Sequence, residues 1–396
     1  MNQPLPDSSA ASFDLHHAAL VIDTHVDTPQ RFLDPSPGQS ATPWDFTGPL
    51  HGGHLSLDTA RRGNLAAAFF ALWPEPTQWR GHYAQRTHAL LDGVLHQIQQ
   101  HPEVLALCTS PADILAARSQ HKFAILLGIE GGHALDNSLA NLRLFHQRGV
   151  RYLTLTWSNS NDWAESSGDL RNPASSTPPG LTPFGRDIIR ELNRLGIIID
   201  VSHASDATLV DVLRTTTAPI LATHSSARAL TDSPRNLTDD QLRAIAANRG
   251  AVMVNFFPAF IDEAWRQAWI NQRPQRSLAH QALAEDYAAR NQPIPFSASN
   301  HIDRTFAALI PRAPFTSLIA HIDHVARTAG IDHVGLGSDF DGIPATPEGI
   351  DSAADLPKIT AALAARGYSD SDLHKLLGGN LLRVFQQVQS IAQPQP

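Results

Sequence analysis

His25 and Asp27 stand two residues apart in Val21-Ile22-Asp23-Thr24-His25-Val26-Asp27-Thr28-Pro29, where an apolar run ends and a proline stops it. On a strand, side chains two apart point to the same side, so an imidazole and a carboxylate would project together. Such a pair suits a borderline metal such as zinc. His-x-Asp is common by chance, and its weight comes from what recurs downstream. Glu130 follows the apolar run 123–129, His203 follows 197–202, His224 follows 220–223, and Asp339 stands just beyond 333–337. One face shared by all these run ends would bring them together in a single site.

The elements that must position them can be read from the same runs. Residues 21–26, 65–72, 123–129, 150–156, 197–202, 220–223, 251–256 and 333–337 are apolar and rich in β-branched residues. They are continuous rather than alternating, as parallel strands buried on both faces require. Helical periodicity covers 85–100, 183–195, 239–248 and 316–329, with Thr238 placed to cap the third. Strands alternating with helices predict an α/β fold, a (β/α)8 TIM-type barrel, in which the carboxyl ends of the strands form the reactive face. A doubly wound sheet is disfavoured because no Gly-x-Gly-x-x-Gly follows a strand. Gly128-Ile-Glu-Gly-Gly132 lacks the Lys-Ser/Thr of a phosphate loop. Residues 31–53 and 166–180 are rich in Pro, Ser and Gly and are expected to be loops. Residues 258–314 exceed what a minimal barrel needs. They read as a helical insertion between strands 7 and 8, lying over the barrel mouth or at a subunit contact. The chain is expected to be one barrel domain over 1–396, with tails at 1–17 and 389–396.

Composition removes several alternatives. The 396 residues carry a formal net charge of -8, against the basic footprint of a nucleic-acid binder. Cys108 is the only cysteine, so neither an intrachain disulfide nor a thiolate metal cluster is available, while the 20 histidines supply imidazole. The first 13 residues lack the apolar core of a signal peptide, and no run approaches the roughly 20 residues of a membrane span. The end of the sequence has no hydrophobic tail of the kind that precedes a lipid anchor. The expectation is a cytoplasmic protein without a membrane anchor, with a homodimer left open.

The blocks Ile22-Asp-Thr-His-Val-Asp27, Gly128-Ile-Glu-Gly-Gly-His133, Arg151-Tyr-Leu-Thr-Leu-Thr156, Asp200-Val-Ser-His203, Thr223-His-Ser-Ser226, Arg235-Asn236 and Gly337-Ser-Asp-Phe-Asp-Gly342 occur in this order. Together they resemble the renal (membrane) dipeptidases, a branch of the amidohydrolase superfamily, over about residues 20–388. The resemblance implies two zinc ions per chain. His25 and Asp27 would hold one, His203 and His224 the other, and Glu130 would bridge them. It implies that Asp339 is the catalytic acid/base, that Arg235 holds the terminal carboxylate of a dipeptide-like substrate, and that a C-terminal D-residue is accepted. Elementary chemistry agrees with each role. Paired metals polarise a carbonyl and acidify water, a carboxylate relays a proton, and a guanidinium matches a carboxylate in a planar fork.

One position departs from the pattern. Where the mammalian enzymes carry a histidine that polarises the substrate carbonyl, this chain has Trp157. An indole donates one hydrogen bond but cannot become a cation, and an oxyanion donor is typically worth on the order of 10² to 10³ in rate. Trp157 therefore keeps two further readings open, a metal-dependent hydrolase of another small amide or lactone, and a metal-bound protein without dipeptidase turnover. Ser225 and Ser226 lack the Gly-x-Ser-x-Gly elbow of a serine nucleophile. His133 reads as a support for the ligands, Asp341 as a group that orients Asp339 or nearby loops, and His51, His54, His82 and His88 as loop or solvent-facing residues.

Overall fold

The computed structural model describes residues 10–33, 44–170 and 177–393. Its strands are β1 Val21–Val26, β2 Leu65–Leu72, β3 Leu105–Leu107, β4 Phe123–Glu130, β5 Val150–Thr154, β6 Ile198–Asp200, β7 Leu221–Ala222, β8 Ala251–Val254 and β9 Val334–Leu336. Eight of them run side by side in the order β1-β2-β4-β5-β6-β7-β8-β9, every pairing parallel. They are the eight expected strands, most of them trimmed by one to three residues. β3 is the addition. It pairs with the first half of β4, from Leu105 opposite Phe123 to Leu107 opposite Ile125, and β5 takes over that edge from Leu127. Three residues are too few to show a period of two, which is why the sequence did not announce it.

The eight strands form a nearly closed barrel. The Thr24 hydroxyl donates to the carbonyls of Thr223 (2.6 Å) and Leu336 (3.1 Å) across the interior. Above it, Val26 bridges in parallel to Phe340. The Asp27 amide donates to Phe340 O at 2.8 Å, and the Asp339 amide to His25 O at 3.0 Å. Closure therefore ties the end of β1 to the segment after β9, and makes neighbours of His25, Asp27 and Asp339.

The interior is filled by Ile22, Phe69, Leu126, Tyr152, Met253 and their neighbours, to which Leu381 and Phe385 of the helix Asn380–Ile391 are added. The larger apolar layer lies between the strands and the surrounding helices. Helices Tyr83–Gln100, Pro183–Leu195, Asp239–Ala247 and Phe315–Ala329 stand where the periodicity placed them. Thr238 caps the third through a reciprocal pair with Gln241, the side chain of each bonding the other's backbone. Helices Pro111–Ser119, Leu139–Gln147, Asp206–Thr215 and Leu356–Ala364 complete the outer layer without having been anticipated. Of the expected N-terminal tail, residues 1–9 lie outside the described residues, and the rest belongs to a helix from Ala10 to Ala18, docked by the buried His16 ring on Thr360 Oγ1 and Gly63 O. At the other end, residues 389–391 are the last turn of a helix, not a tail.

The segment between β8 and β9 is helical as expected, with helices Pro258–Ile261, Glu263–Asn271, Arg273–Ala289 and Phe296–Ala307. A small core of Ala259, Trp265, Ala307, Ile310 and Ala313 holds it together. It lies over the barrel mouth. Ile294 exchanges two hydrogen bonds with the Gln78 side chain, and Asn300 Nδ2 donates to Asp341 O. Of the loop expectations, residues 34–43 and 171–176 lie outside the described residues, and Thr28–Phe32 is a turn of 3₁₀ helix. Among the described residues no helix is long and apolar enough to cross a membrane.

Candidate metal centre

Because parallel strands all point their carboxyl ends the same way, the residues that close each run meet in one place. His25 comes from the last turn of pleat in β1 and Asp27 from just beyond it. Glu130 ends β4, His203 and His224 follow β6 and β7, and Asp339 follows β9. All but Asp339 are buried in residue terms. Glu130 Oε1 stands 2.9 Å from His203 Nε2, 3.4 Å from His224 Nε2 and 3.8 Å from His25 Nε2. His25 Nε2 lies 3.6 Å from Asp27 Oδ2. The donor atoms fall into two overlapping sets, His25 with Glu130 and His224, and His25 with Asp27 and Asp339, each within 4.8 Å. His203 reaches the first set through Glu130. Asp339, expected as an acid/base, is thus also placed among the donors.

Two backbone features make the convergence possible. His203 and Asp339 adopt left-handed conformations, φ 68 and 64, uncommon for residues with a Cβ and typical of sites where geometry is imposed from outside. Gly342 leaves room where a Cβ would come within 2.0 Å of Asp27 Oδ2. Gly128 does the same for the Tyr152 ring, which a Cβ would meet at 2.0 Å. Tyr152 uses that space to reach His25 Nδ1 with its hydroxyl at 2.9 Å.

The second imidazole is set just as firmly. Asp200 accepts the Thr223 hydroxyl (2.6 Å) and amide (2.8 Å), together with the Thr154 hydroxyl and the Ser202 amide. With its proton committed to Asp200, Thr223 Oγ1 can only accept from His224 Nδ1 at 2.8 Å. That fixes the tautomer and leaves the His224 Nε2 lone pair facing Glu130. Among the described residues, the buried His25 Nε2 and His224 Nε2 find no hydrogen-bond partner. Orphaned ring nitrogens aimed at buried carboxylates are what a metal site presents before its cation is counted.

Charge leads to the same reading. Burial pushes the Glu130 carboxyl up, and nearby Asp27 and Asp339 push it further. Burial likewise raises Asp339 to about 6, with Asp27 adding to it and His25 and the Asn255 amide (2.9 Å to Oδ2) opposing. Burial would lower His25, but Glu130, Asp27 and Asp339 outweigh it and hold the ring at about 10. His203 and His224 are pushed down by burial. Three carboxylates confined with little water repel one another unless a proton or a cation offsets them. The donor set, His and carboxylate oxygen without thiolate, fits zinc.

The centre opens into a cleft of about 720 Å³. Arg235, on the loop after β7, lines it. Its guanidinium donates to Ser225 Oγ (3.2 Å) and His224 O (3.1 Å) and lies over Phe260 at 5.1 Å. Burial lowers it to about 10, so it stays charged at neutral pH. Trp157 lies in the cleft wall, its ring centroid 6.2 Å from His203 and 4.7 Å from Trp73. Ser225 and Ser226 are buried, and Ser225 serves Arg235.

Some expectations need correcting. His133 does not touch the ligands. It bonds Pro74 O at 2.8 Å and packs edge-on against Tyr83, holding the loop after β2. His54 is a loop residue, as expected, but a buried one. Its Nδ1 accepts the Asp341 amide and its own amide donates to Asp341 Oδ1. Asp341 also accepts from Thr28 and so ties nearby loops together, one of the two roles expected of it. Several residues of the site went unremarked in the sequence. Trp73 and Asn255 each follow a strand directly, the signal that found the ligands, and Thr223 ends its run beside His224. Tyr152 and Phe296 carried no such signal, one being inside a strand and the other in the insertion.

The chain is similar to proteins of known kind over most of its length. A family model described as membrane dipeptidase (peptidase family M19) matches residues 10–396. A dipeptidase of Claviceps purpurea, tcpJ, is 31% identical over 355 residues, 87% of this chain and 71% of that protein. Dipeptidase 3 of Rattus norvegicus is 34% identical over 94% of this chain, and the match spans 65% of the rat protein. Among solved structures, the probable dipeptidase PvdM from Pseudomonas aeruginosa superposes with a TM-score of 0.78 at 28% identity, covering 96% of this chain and 98% of that one. A metallo peptidase from Rhodobacter sphaeroides, solved with a phosphinate mimic of the dipeptide L-Ala-D-Ala, gives 0.71 at 26% identity, covering 93% and 99%.

Proposed function

The chain belongs to the membrane dipeptidase family, peptidase family M19, and on that premise we propose that it is a binuclear zinc dipeptidase that also accepts a C-terminal D-residue. The observation that carries the reading is the set of buried donors around Glu130, with the unpartnered Nε2 atoms of His25 and His224 directed into it. His25 and Asp27 would hold one ion, His203 and His224 the other, and Glu130 both. When bound, zinc supplies Lewis acidity toward a carbonyl oxygen and acidifies water.

The chain's own groups account for the rest. Among the described residues the Arg235 guanidinium donates to neutral groups, Ser225 Oγ and His224 O, and its buried Nε has no partner, so a substrate carboxylate would complete its hydrogen bonding. Asp339, one oxygen held by Asn255 and its carboxyl raised to about 6, can take a proton during attack and return it to the departing amine. Tyr152 and the Asp200–Thr223 pair keep the two imidazoles turned toward the centre. Acceptance of a D-residue is supported by the dipeptide mimic held by the Rhodobacter sphaeroides relative.

The test is zinc content measured alongside turnover of L-Xaa-L-Xaa and L-Xaa-D-Xaa dipeptides. About two zinc ions per chain with hydrolysis of both series is expected. Protein that binds no zinc, or is inert across the panel when loaded, would defeat the proposal. A second reading, hydrolysis of another small amide or a lactone, is favoured by Trp157, which cannot supply the cationic donor of the family pattern. Trp157→His separates the two. A gain in dipeptide turnover supports the second reading, and a loss supports the first.

A further inference from the structure

The cleft is larger than a pair of small residues needs. At about 720 Å³ it falls in the range that encloses drug-sized ligands. Its two sides differ in chemistry. Arg235 and Phe260 follow β7 and β8, whereas Trp73 follows β2, opposite β7 in the strand order, and Trp157 follows β5, between them. A ladder of rings starts at His203 and leads outward on the second side. Trp157 lies 6.2 Å from His203, Trp73 4.7 Å from Trp157, and Phe296 of the insertion 6.2 Å from Trp73 in an edge-to-face arrangement. None of these three aromatic side chains is sealed in the core. All are half-buried and line the cleft.

We infer that Trp73, Trp157 and Phe296 form a subsite for a planar aromatic side chain on the amino-terminal residue of the substrate. The inference rests on the dipeptidase reading for its polarity. With the carboxylate at Arg235 and the scissile carbonyl over the ligands, the amino-terminal residue extends toward the far side, where the rings stand. It also gives the departure at Trp157 a purpose: a position that cannot polarise a carbonyl can stack on a ring. Offset and edge-on ring contacts, together with the apolar area removed from water, are enough to dominate the choice of residue there.

Phosphinate isosteres of Phe-Ala and Ala-Ala, titrated into the zinc-loaded protein by calorimetry, test this without needing turnover. The Phe isostere is expected to bind at least about 10-fold more tightly. In Trp73→Ala and in Phe296→Ala that ratio should fall to within about 3-fold, while Trp73→Phe should keep most of it. The ratio is taken within one preparation, so a partly misfolded variant does not distort it. Equal affinities in the parent protein, binding of neither isostere, or a ratio unmoved by Trp73→Ala would overturn the subsite. A preference for the Phe isostere without hydrolysis of Phe-Ala would support the subsite and remove the dipeptidase reading instead.

Discussion

The floor of the cleft and its roof are built to opposite rules. On the floor, the donors come from strand ends, all but Asp339 are buried, and hydrogen bonds tie His25 to Tyr152, Asp27 to Phe340 and Asp339 to His25 across the strands. In the roof, the helix Arg273–Ala289 buries none of its residues, and Leu278 is 67% exposed. It meets the cleft with a stripe at helical spacing, His280, Leu283 and Tyr287, and is braced by His280 and Arg276 on Asp303. Chemistry that needs donors held to a few tenths of an ångström is placed on the part that cannot move. The roof helix, with no buried residue of its own, is the part whose sequence can change without unfolding the barrel.

That contrast can be broken or sharpened by experiment. The largest effect is expected on the floor. Asp339→Asn keeps the shape but removes the proton acceptor, and should lower kcat by roughly 10² to 10⁴ with little change in melting temperature. Comparable activity in the variant would remove Asp339 from the chemistry. Thr223→Val cuts the Asp200–Thr223–His224 chain one step from the donors. It should weaken zinc binding by about 10- to 100-fold in competition against a chromophoric chelator, while circular dichroism reports the fold. An unchanged affinity would mean that the His224 tautomer is set by something else.

Zinc affinity should also depend on pH in a definite direction. In the metal-free protein the His25 ring, held at about 10, carries a proton at neutral pH, and a ligating imidazole must be neutral. Binding therefore expels a proton. Affinity should rise with pH by about tenfold per unit above the Asp339 range near 6, levelling off as pH approaches 10. A flat profile between pH 7 and 9 would show that the buried carboxylates do not hold that proton. The smallest effect belongs to the roof's outer face. Leu278→Ser should change unfolding free energy by no more than about 0.5 kcal/mol in urea titration and leave zinc affinity as it was. A large loss would mean that the exposed leucine is covered by a partner, and the roof would then be part of an interface.

Much of the site could be read along the chain, and the reason is geometric. A continuous apolar run marks a strand buried on both faces, and parallel strands deliver their last residues to one rim. His25, Asp27, Glu130, His203, His224 and Asp339 were found by that rule, and Trp73 and Asn255 obey it too. Tyr152 escaped because a polar atom inside a strand looks like core until its partner, His25, is known to lie across the barrel. The burial of His54 escaped because the group it bonds, Asp341, lies 287 positions away. β3 was too short to leave a pattern, and the helix Asp206–Thr215, despite its Ser205 cap, was passed over between two short strands.

The order of the eight barrel strands and of four helices, the residue types at each strand end, and hence a shared donor site without thiolate, were legible along the chain. These follow from local periodicity and from the covalent spacing of neighbours. Only the tertiary structure decided that residues 258–314 roof the cleft, that Trp157 continues into a ladder with Trp73 and Phe296, and that Asp339 lies among the donors as well as beside Asn255. Those facts depend on contacts between segments far apart in the chain. Such contacts are fixed by barrel closure and side-chain packing, and a pattern of period 2 or 3.6 carries no record of them.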